Sequence, residues 1–346
     1  MLGRLIRIIA VNLAVLALGL LAVELLFGTW FSRDPLDRLN IARSSAAQVD
    51  ATGLYPGGRE FTYRRDSWGF RGAGIDPAAI TVLTVGGSTT NQLYLPDDLT
   101  WQAVAATRLA EKGRRIGIAN SGIDGQSTVG HLFNFETWYP AVPGLKPRIV
   151  LALVGVNDAM IGVNTTDTLG FSSGFKWFRH NSALFRLGRT VTGALEARRT
   201  NLTHTALDFA RAQWTDRPNT ASNREARSVA DPAAYAVRLR QLAERIEAMG
   251  AKAVFVTQTR GDYKMIDGKV WGLIRDDELN GVDNWRLLDE FNRVTLAVCA
   301  EGRATCLDLA GEVAFTDGDF YDHVHNTPAG AAKIGAWLAT RLEPLL

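Results

Sequence analysis

The sequence predicts an α/β fold: a parallel sheet covered by helices on both faces, with an apolar helix ahead of it. Three observations carry this expectation. Short, largely apolar and β-branched runs at Ile80–Val85, Arg148–Val154 and Ala253–Thr257 have the composition of strands buried on both faces. Stretches with apolar residues at helical spacing alternate with these runs. Neither an internal repeat nor a low-complexity segment interrupts the alternation.

The first element is set by Ile8 to Phe27, an apolar run interrupted only by Asn12 and Glu24. About 20 such residues cross a hydrocarbon core as a helix. Arg4 and Arg7 precede the run, which keeps the amino terminus in the cytoplasm and sends the rest of the chain to the outer side. A cleaved signal peptide is the competing reading, but no small-x-small site closes the run, so residues 1–30 are read as an uncleaved single-pass anchor. Trp30 and Phe31 suit the outer lipid–water interface.

Residues 31–78 read as a spacer and an ordered lead-in, punctuated by Asp34-Pro35, Tyr55-Pro56-Gly57-Gly58 and Gly72-Ala73-Gly74. The main domain then spans 79–346. Its first strand stops at Gly86-Gly87 and is followed at once by Ser88. A helix over Trp101–Lys112 is closed by Gly113, and a short strand follows at Ile116–Asn120. Residues 129–139 read as helix until Pro140, Pro143 and Pro147 break the pattern. The Arg148–Val154 strand ends in Gly155-Val156-Asn157-Asp158. Residues 159–230, with Phe171, Phe175, Trp177 and Phe178, form too long a stretch for a bare loop and read as an insertion or lid of short helices. Asp231-Pro232 opens an amphipathic helix that Gly250 ends, ahead of the Ala253–Thr257 strand. A second irregular stretch, 261–284, carries Trp271 and the acids Asp276, Asp277 and Glu278. A helix from Trp285 to Cys299, a strand over Thr305–Leu309 and a final helix after Gly330 complete the chain.

Composition bounds the function. The 346 residues are 47% hydrophobic and 21% charged with net charge +2, as in an ordinary globular protein. Basic residues are scattered, which argues against nucleic acid as a partner. The two cysteines, Cys299 and Cys306, fit either a small disulfide loop or two buried thiols. Trp177, Trp271 and Trp285 are expected in the core rather than stacked on a sugar.

Three strand ends place Ser88, Gly122 and Asn157 where open α/β sheets bind ligands, and Asp322-x-x-His325 precedes the last helix. Together these supply what ester hydrolysis needs. A serine hydroxyl requires a base to take its proton, imidazole is that base near neutral pH, and a carboxylate fixes its tautomer. Backbone N–H groups of Ser88 and Gly122 and the amide of Asn157 offer three donors to an oxyanion. Each part has a plainer use: Ser88 as a helix cap, Gly122 and Asn157 as turn residues, Asp322 as a cap of the last helix. Four such accidents in this order are a poor explanation. His323 and His325 with Asp319 lack a third nitrogen or sulfur ligand at zinc spacing, so no metal or other cofactor is expected. His131, His180 and His204 have no carboxylate at a comparable offset.

In these blocks, Gly86-Gly87-Ser88-Thr89, Asn120-Ser121-Gly122, Gly155-Val156-Asn157-Asp158 and Asp322-His323-Val324-His325, the sequence resembles the SGNH/GDSL hydrolases. The resemblance spans roughly 80–330. It implies a flavodoxin-like three-layer α/β/α sandwich and an acyl-enzyme mechanism. It assigns Ser88 as nucleophile, His325 as base, Asp322 as the carboxylate, and Gly122 and Asn157 as oxyanion donors. That family usually has Asp before the serine; here the position is Gly87. Gly-Gly-Ser-Thr with the lead-in Ser67-Trp68-Gly69-Phe70-Arg71 looks like membrane-anchored bacterial members, often tied to acyl groups on cell-envelope glycans. The expected activity is therefore an esterase on such groups. The alternatives are an O-acyltransferase with the same triad, or a glycan-binding protein with a retired site.

Overall fold

The computed structural model describes residues 2–161, 167–170, 173–185, 187–188, 204–219, 231–274 and 279–346. They fall into two compact units, one drawn from 1–41 and 169–203, the other from 42–168 and 204–346.

In the first unit, helix α1 (Leu2–Phe27) is long and apolar enough to cross a membrane, and none of its residues is buried. Glu24, the acid that interrupts the apolar run, accepts hydrogen bonds from Ser182 Oγ (2.5 Å), Ala183 N (3.0 Å), Leu184 N (3.1 Å) and Trp30 Nε1 (2.9 Å).

The second unit is the α/β domain. It opens with the antiparallel pair β1 (Ser45–Asp50) and β2 (Glu60–Arg65). There follow β3 (Ile80–Gly86), α2 (Ser88–Asn91), α3 (Trp101–Glu111), β4 (Gly117–Asn120), α4 (Thr128–Thr137), β5 (Ile149–Leu153) and α5 (Val156–Ile161). Helix α6 (Gly174–Asn181) belongs to the first unit. The domain continues with β6 (Trp214–Thr215), α7 (Pro232–Ala248), β7 (Lys252–Val256), β8 (Tyr263–Ile266), β9 (Lys269–Leu273), α8 (Gly281–Ala300), β10 (Thr305–Leu307), α9 (Leu309–Glu312) and α10 (Pro328–Leu342).

Five strands form the central sheet in the order β10-β7-β5-β3-β4, all parallel. Every residue of β5 is buried, as a strand covered on both faces requires. Helices α3 and α10 pack together, and α7 packs between α4 and α8. Gly335 lets α10 approach α3, since a Cβ there would meet the Trp101 carbonyl oxygen at 2.6 Å. Ser88 leaves the carboxyl end of β3, and Asn157 that of its neighbour β5, the middle strand of the sheet.

Three readings need correction. Within the stretch expected to be irregular at 261–284, residues 263–273 are regular: β8 and β9 form a hairpin around Asp267 (φ 50°) and Gly268 (φ 75°), an Asp-Gly pair suited to a two-residue turn, and β6 adds a third strand. The helix expected from Trp285 starts at Gly281, because Asn280 caps it by accepting from Val282 N and Asp283 N. Trp177 is 44% exposed and not in a core; Trp271 and Trp285 are partly buried. Cys299 and Cys306 are joined in a disulfide between α8 and β10. The acids Asp276, Asp277 and Glu278, and Phe171 with much of 159–230, lie outside the described residues.

Candidate active site

Ser88 occupies the first position of α2, a four-residue helix too short to stand without tertiary support. That support comes from side chains far along the chain. Gln102 Nε2 and Asn120 Nδ2 both donate to the Thr90 carbonyl, at 2.9 and 2.8 Å. The buried guanidinium of Arg71 reaches the carbonyl of Asn91, the last residue of α2, and those of Gln92 and Leu95 beyond it, and pairs with Asp97 at 3.3 Å. Gln258 links the two strand ends: its Nε2 donates to Thr89 Oγ1 (2.9 Å) and its Oε1 accepts from Val156 N (2.8 Å). Glycines make the turn fit. A Cβ on Gly86 would lie 2.1 Å from Thr90 Oγ1, and one on Gly87 would lie 2.2 Å from Asn157 Nδ2.

Across from Ser88, His325 Nε2 lies 2.8 Å from Ser88 Oγ, and its Nδ1 lies 2.7 Å from Asp322 Oδ2. Asp322 Oδ1 accepts from Val324 N (2.8 Å) and His325 N (2.7 Å), so the carboxylate shapes the loop that carries its own imidazole. Burial alone would raise the Asp322 pKa, but hydrogen bonds from His204 and His325 hold it well below the usual carboxylate range. An ionised carboxylate only accepts, so His325 presents Nδ1–H to it and leaves Nε2 free to accept the serine proton. The loop is backed by Gly261, whose N–H donates to the His323 carbonyl at 2.9 Å and whose Cβ, if present, would meet the Asp322 carbonyl oxygen at 2.6 Å.

His204 joins this group without any local sequence signal. Its Nδ1 lies 3.3 Å from Asp322 Oδ2 and 3.1 Å from Tyr321 OH, and its ring sits 4.5 Å from that of His325, centroid to centroid. The Tyr321 phenol is kept neutral by burial and by the adjacent Asp322 charge. His204, Asp322 and His325 bring three ligating atoms within 4.8 Å of one another. The carboxylate and imidazole atoms concerned already bond one another, so ligating a metal and holding this hydrogen-bonded chain are competing uses.

The expected oxyanion donors differ in readiness. Asn157 Nδ2 sits against Gly87, beside Ser88, and donates to the Gln126 carbonyl at 2.8 Å. The Ser88 N–H is in the first turn of a helix, where donors lack intrahelical partners. The Gly122 N–H is engaged by Asn120 Oδ1 at 3.0 Å, while its carbonyl accepts from Arg65 at 2.7 Å. Gly122 also lets the Asn120-Ser121-Gly122 segment lie against α2, since a Cβ would meet Asn91 N at 2.3 Å. Asp158, next to Asn157, is buried and bonded to Thr128 and Arg238, which ties this turn to α4 and α7.

The family model for GDSL-like lipases and acylhydrolases matches residues 83–333. No curated protein matches the chain. Among solved structures, TesA is 19% identical, covering 77% of this chain and 99% of its own, with a TM-score of 0.44. Est24, a carbohydrate acetylesterase from Sinorhizobium meliloti, is 12% identical over 77% of this chain and 100% of its own, with a TM-score of 0.43. The native aryl esterase of M. smegmatis is 16% identical over 78% and 100%, with a TM-score of 0.42.

Proposed function

The chain belongs to the GDSL-like lipase/acylhydrolase family, and on that premise we propose that it is a serine ester hydrolase with Ser88 as nucleophile, His325 as base and Asp322 as the carboxylate that orients the base. One observation carries the reading: Ser88 Oγ, His325 and Asp322 Oδ2 form a continuous hydrogen-bonded chain of 2.8 and 2.7 Å. Ser88 Oγ bonds the ester carbonyl carbon as its proton passes to His325 Nε2. The resulting oxyanion meets the Ser88 N–H and the Asn157 amide; Gly122 serves as a third donor when its N–H is shared with or released by Asn120. Collapse expels the alcohol, which takes the proton from His325. Water then gives a proton to His325 and attacks the acyl-enzyme; His325 returns that proton to Ser88 Oγ as the acid leaves.

The substrate class we infer is an ester-linked acyl group on a cell-envelope glycan, met outside the cytoplasmic membrane by a domain that α1 anchors. The Gly-Gly-Ser-Thr block with its Ser67–Arg71 lead-in supports that reading, as do Arg4 and Arg7 ahead of the apolar helix. The test is a fluorophosphonate probe applied to the full chain in detergent, read by intact mass. Wild type is expected to gain one adduct that Ser88→Ala and His325→Ala do not. An adduct that persists in Ser88→Ala, or none on folded wild type, overturns the assignment. Transfer to an acceptor alcohol shares the same acyl-enzyme, and the partition of product between free acid and acylated glycan separates it from hydrolysis.

A further inference from the structure

Phe175, Trp177, Phe178 and Phe185 take no part in the proposed chemistry. Helix α6 is capped by Ser173, whose side chain accepts from Lys176 N at 3.2 Å. At helical spacing it sets Phe175, Trp177 and Phe178 on one side and Lys176, Arg179 and His180 on the other. Phe175 is 62% exposed, and Leu187, just past the helix, 61%. The rings are contiguous: Trp30 to Phe178 is 5.2 Å between centroids, Phe178 to Phe185 5.7 Å and Phe185 to Phe175 6.2 Å. A patch of this kind on a soluble surface marks an interaction site.

Its place on the chain says what covers it. The patch is fastened to the carboxyl end of α1, where Thr29 N and Oγ1 bond the Asn181 carbonyl and Oδ1 at 3.0 and 2.9 Å. Glu24 completes the joint. A carboxylate within an apolar span is costly unless donors surround it, and Glu24 has four, two of them backbone N–H groups of Ala183 and Leu184. On the reading of α1 as a membrane span, Glu24, three residues before its end, falls where hydrocarbon gives way to the polar interface, and the aromatic patch begins beside it. Arg179 lies over the rings of Phe175 and Phe185, at 5.8 and 5.7 Å, as a basic side chain does when its stem follows apolar surface and its head reaches for anions.

We propose that residues 173–185 are an amphipathic foot lying in the lipid–water interface of the bilayer that α1 crosses, with Phe175, Phe178 and Phe185 at the acyl boundary and Lys176 and Arg179 among anionic headgroups. The proposal rests on the reading of α1 as a membrane span. Both cysteines are held in the disulfide, so an introduced cysteine takes a nitroxide label alone. The full chain is reconstituted in vesicles of phosphatidylcholine and phosphatidylglycerol, with single labels at Val15→Cys, Phe175→Cys, Lys176→Cys and Phe178→Cys. Collision with oxygen, which concentrates in lipid, is compared with collision with a water-soluble nickel chelate. The oxygen-to-nickel ratio at 175 and 178 is expected to be several-fold above that at 176 and to approach that at 15. A lipid-like ratio at 15 with water-like ratios at 175 and 178 would overturn the foot and leave the anchor standing. Labels at 175 and 178 shielded from both reagents would mean that protein, such as a second copy, covers the face, and would also overturn it. A water-like ratio at 15 would overturn the anchor and the foot together.

Discussion

The turn that presents Ser88 and the loop that presents His325 meet at one hydrogen bond, yet they are held in opposite ways. The serine turn is fixed by Arg71, Gln102, Asn120 and Gln258, none of them in its own segment. The histidine loop is largely self-made: Asp322 binds the N–H groups of Val324 and His325, and Tyr321 N bonds the His325 carbonyl at 3.0 Å. A four-residue helix makes too few bonds of its own to persist, so its position must be set by tertiary contacts. A carboxylate that caps its own loop needs few. Damage to the histidine loop should therefore appear chiefly in chemistry, with stability touched only through the Asp322 charge, and damage to the serine turn in stability and chemistry together.

The largest effect is expected from Asp322→Asn. The amide keeps the size of the side chain but neither fixes the imidazole tautomer nor stabilises the imidazolium, so kcat on a chromogenic ester should fall by about 10³- to 10⁴-fold. Its stability has a definite pH signature. Because the folded-state pKa of Asp322 lies below its unfolded value, the ionised group stabilises the fold above the ordinary carboxylate range, and this contribution is lost as pH falls below that range. The Tm gap between wild type and variant should be open at neutral pH and narrow in acid. A gap of equal size at both would refute the loop's dependence on the charged carboxylate.

Gly87→Asp comes next and probes the serine turn. It installs the residue usual in the family, yet its Cβ would fall 2.2 Å from Asn157 Nδ2. A displacement of about 1 Å at this junction is expected to cost about 10²-fold in kcat/KM. Full activity would mean that Asn157 does not hold the place described. Arg71→Met tests the far end of the same turn. It leaves the Asn91, Gln92 and Leu95 carbonyls short of a donor and Asp97 without its partner, and should cost about 3 kcal/mol or more by denaturant unfolding. Stability within experimental error of wild type would break the contrast between the two loops.

The same contrast explains what the sequence could reveal. Asp322-x-x-His325 was readable because its bonds run within a few residues, and the Ser88 turn was readable because a buried strand ending in Gly86-Gly87 has a local signature. The side chains that hold the turn were not readable. Arg71 sits inside the Ser67–Arg71 lead-in with nothing nearby to show that its guanidinium reaches α2. The β8–β9 hairpin did carry a local signal in Asp267-Gly268, but it was hidden within a stretch mixed in polarity and rich in acids. Gly281 concealed the start of α8, since glycine is a poor helix former; here a Cβ would lie 1.7 Å from the Asp262 carbonyl oxygen, so packing overrides propensity.

His204 is the exception that tests the comparison most finely, because it is a distant residue acting on the otherwise local loop. It stands 117 residues from Tyr321, and its hydrogen bond heads the contacts that keep Asp322 ionised against burial. His204→Phe keeps a ring beside His325 but removes the N–H. The loss of one hydrogen bond to a charged group predicts a fall in kcat of about tenfold, with KM nearly unchanged. With less to offset burial, the Asp322 pKa should move up, so the acid-side loss of activity and of stability should begin at higher pH than in wild type. His204→Gln, which restores a donor, should recover most of both. If His204→Phe instead matches wild type in kcat and in pH profile, His204 only fills space, and the histidine loop is held by its own residues alone.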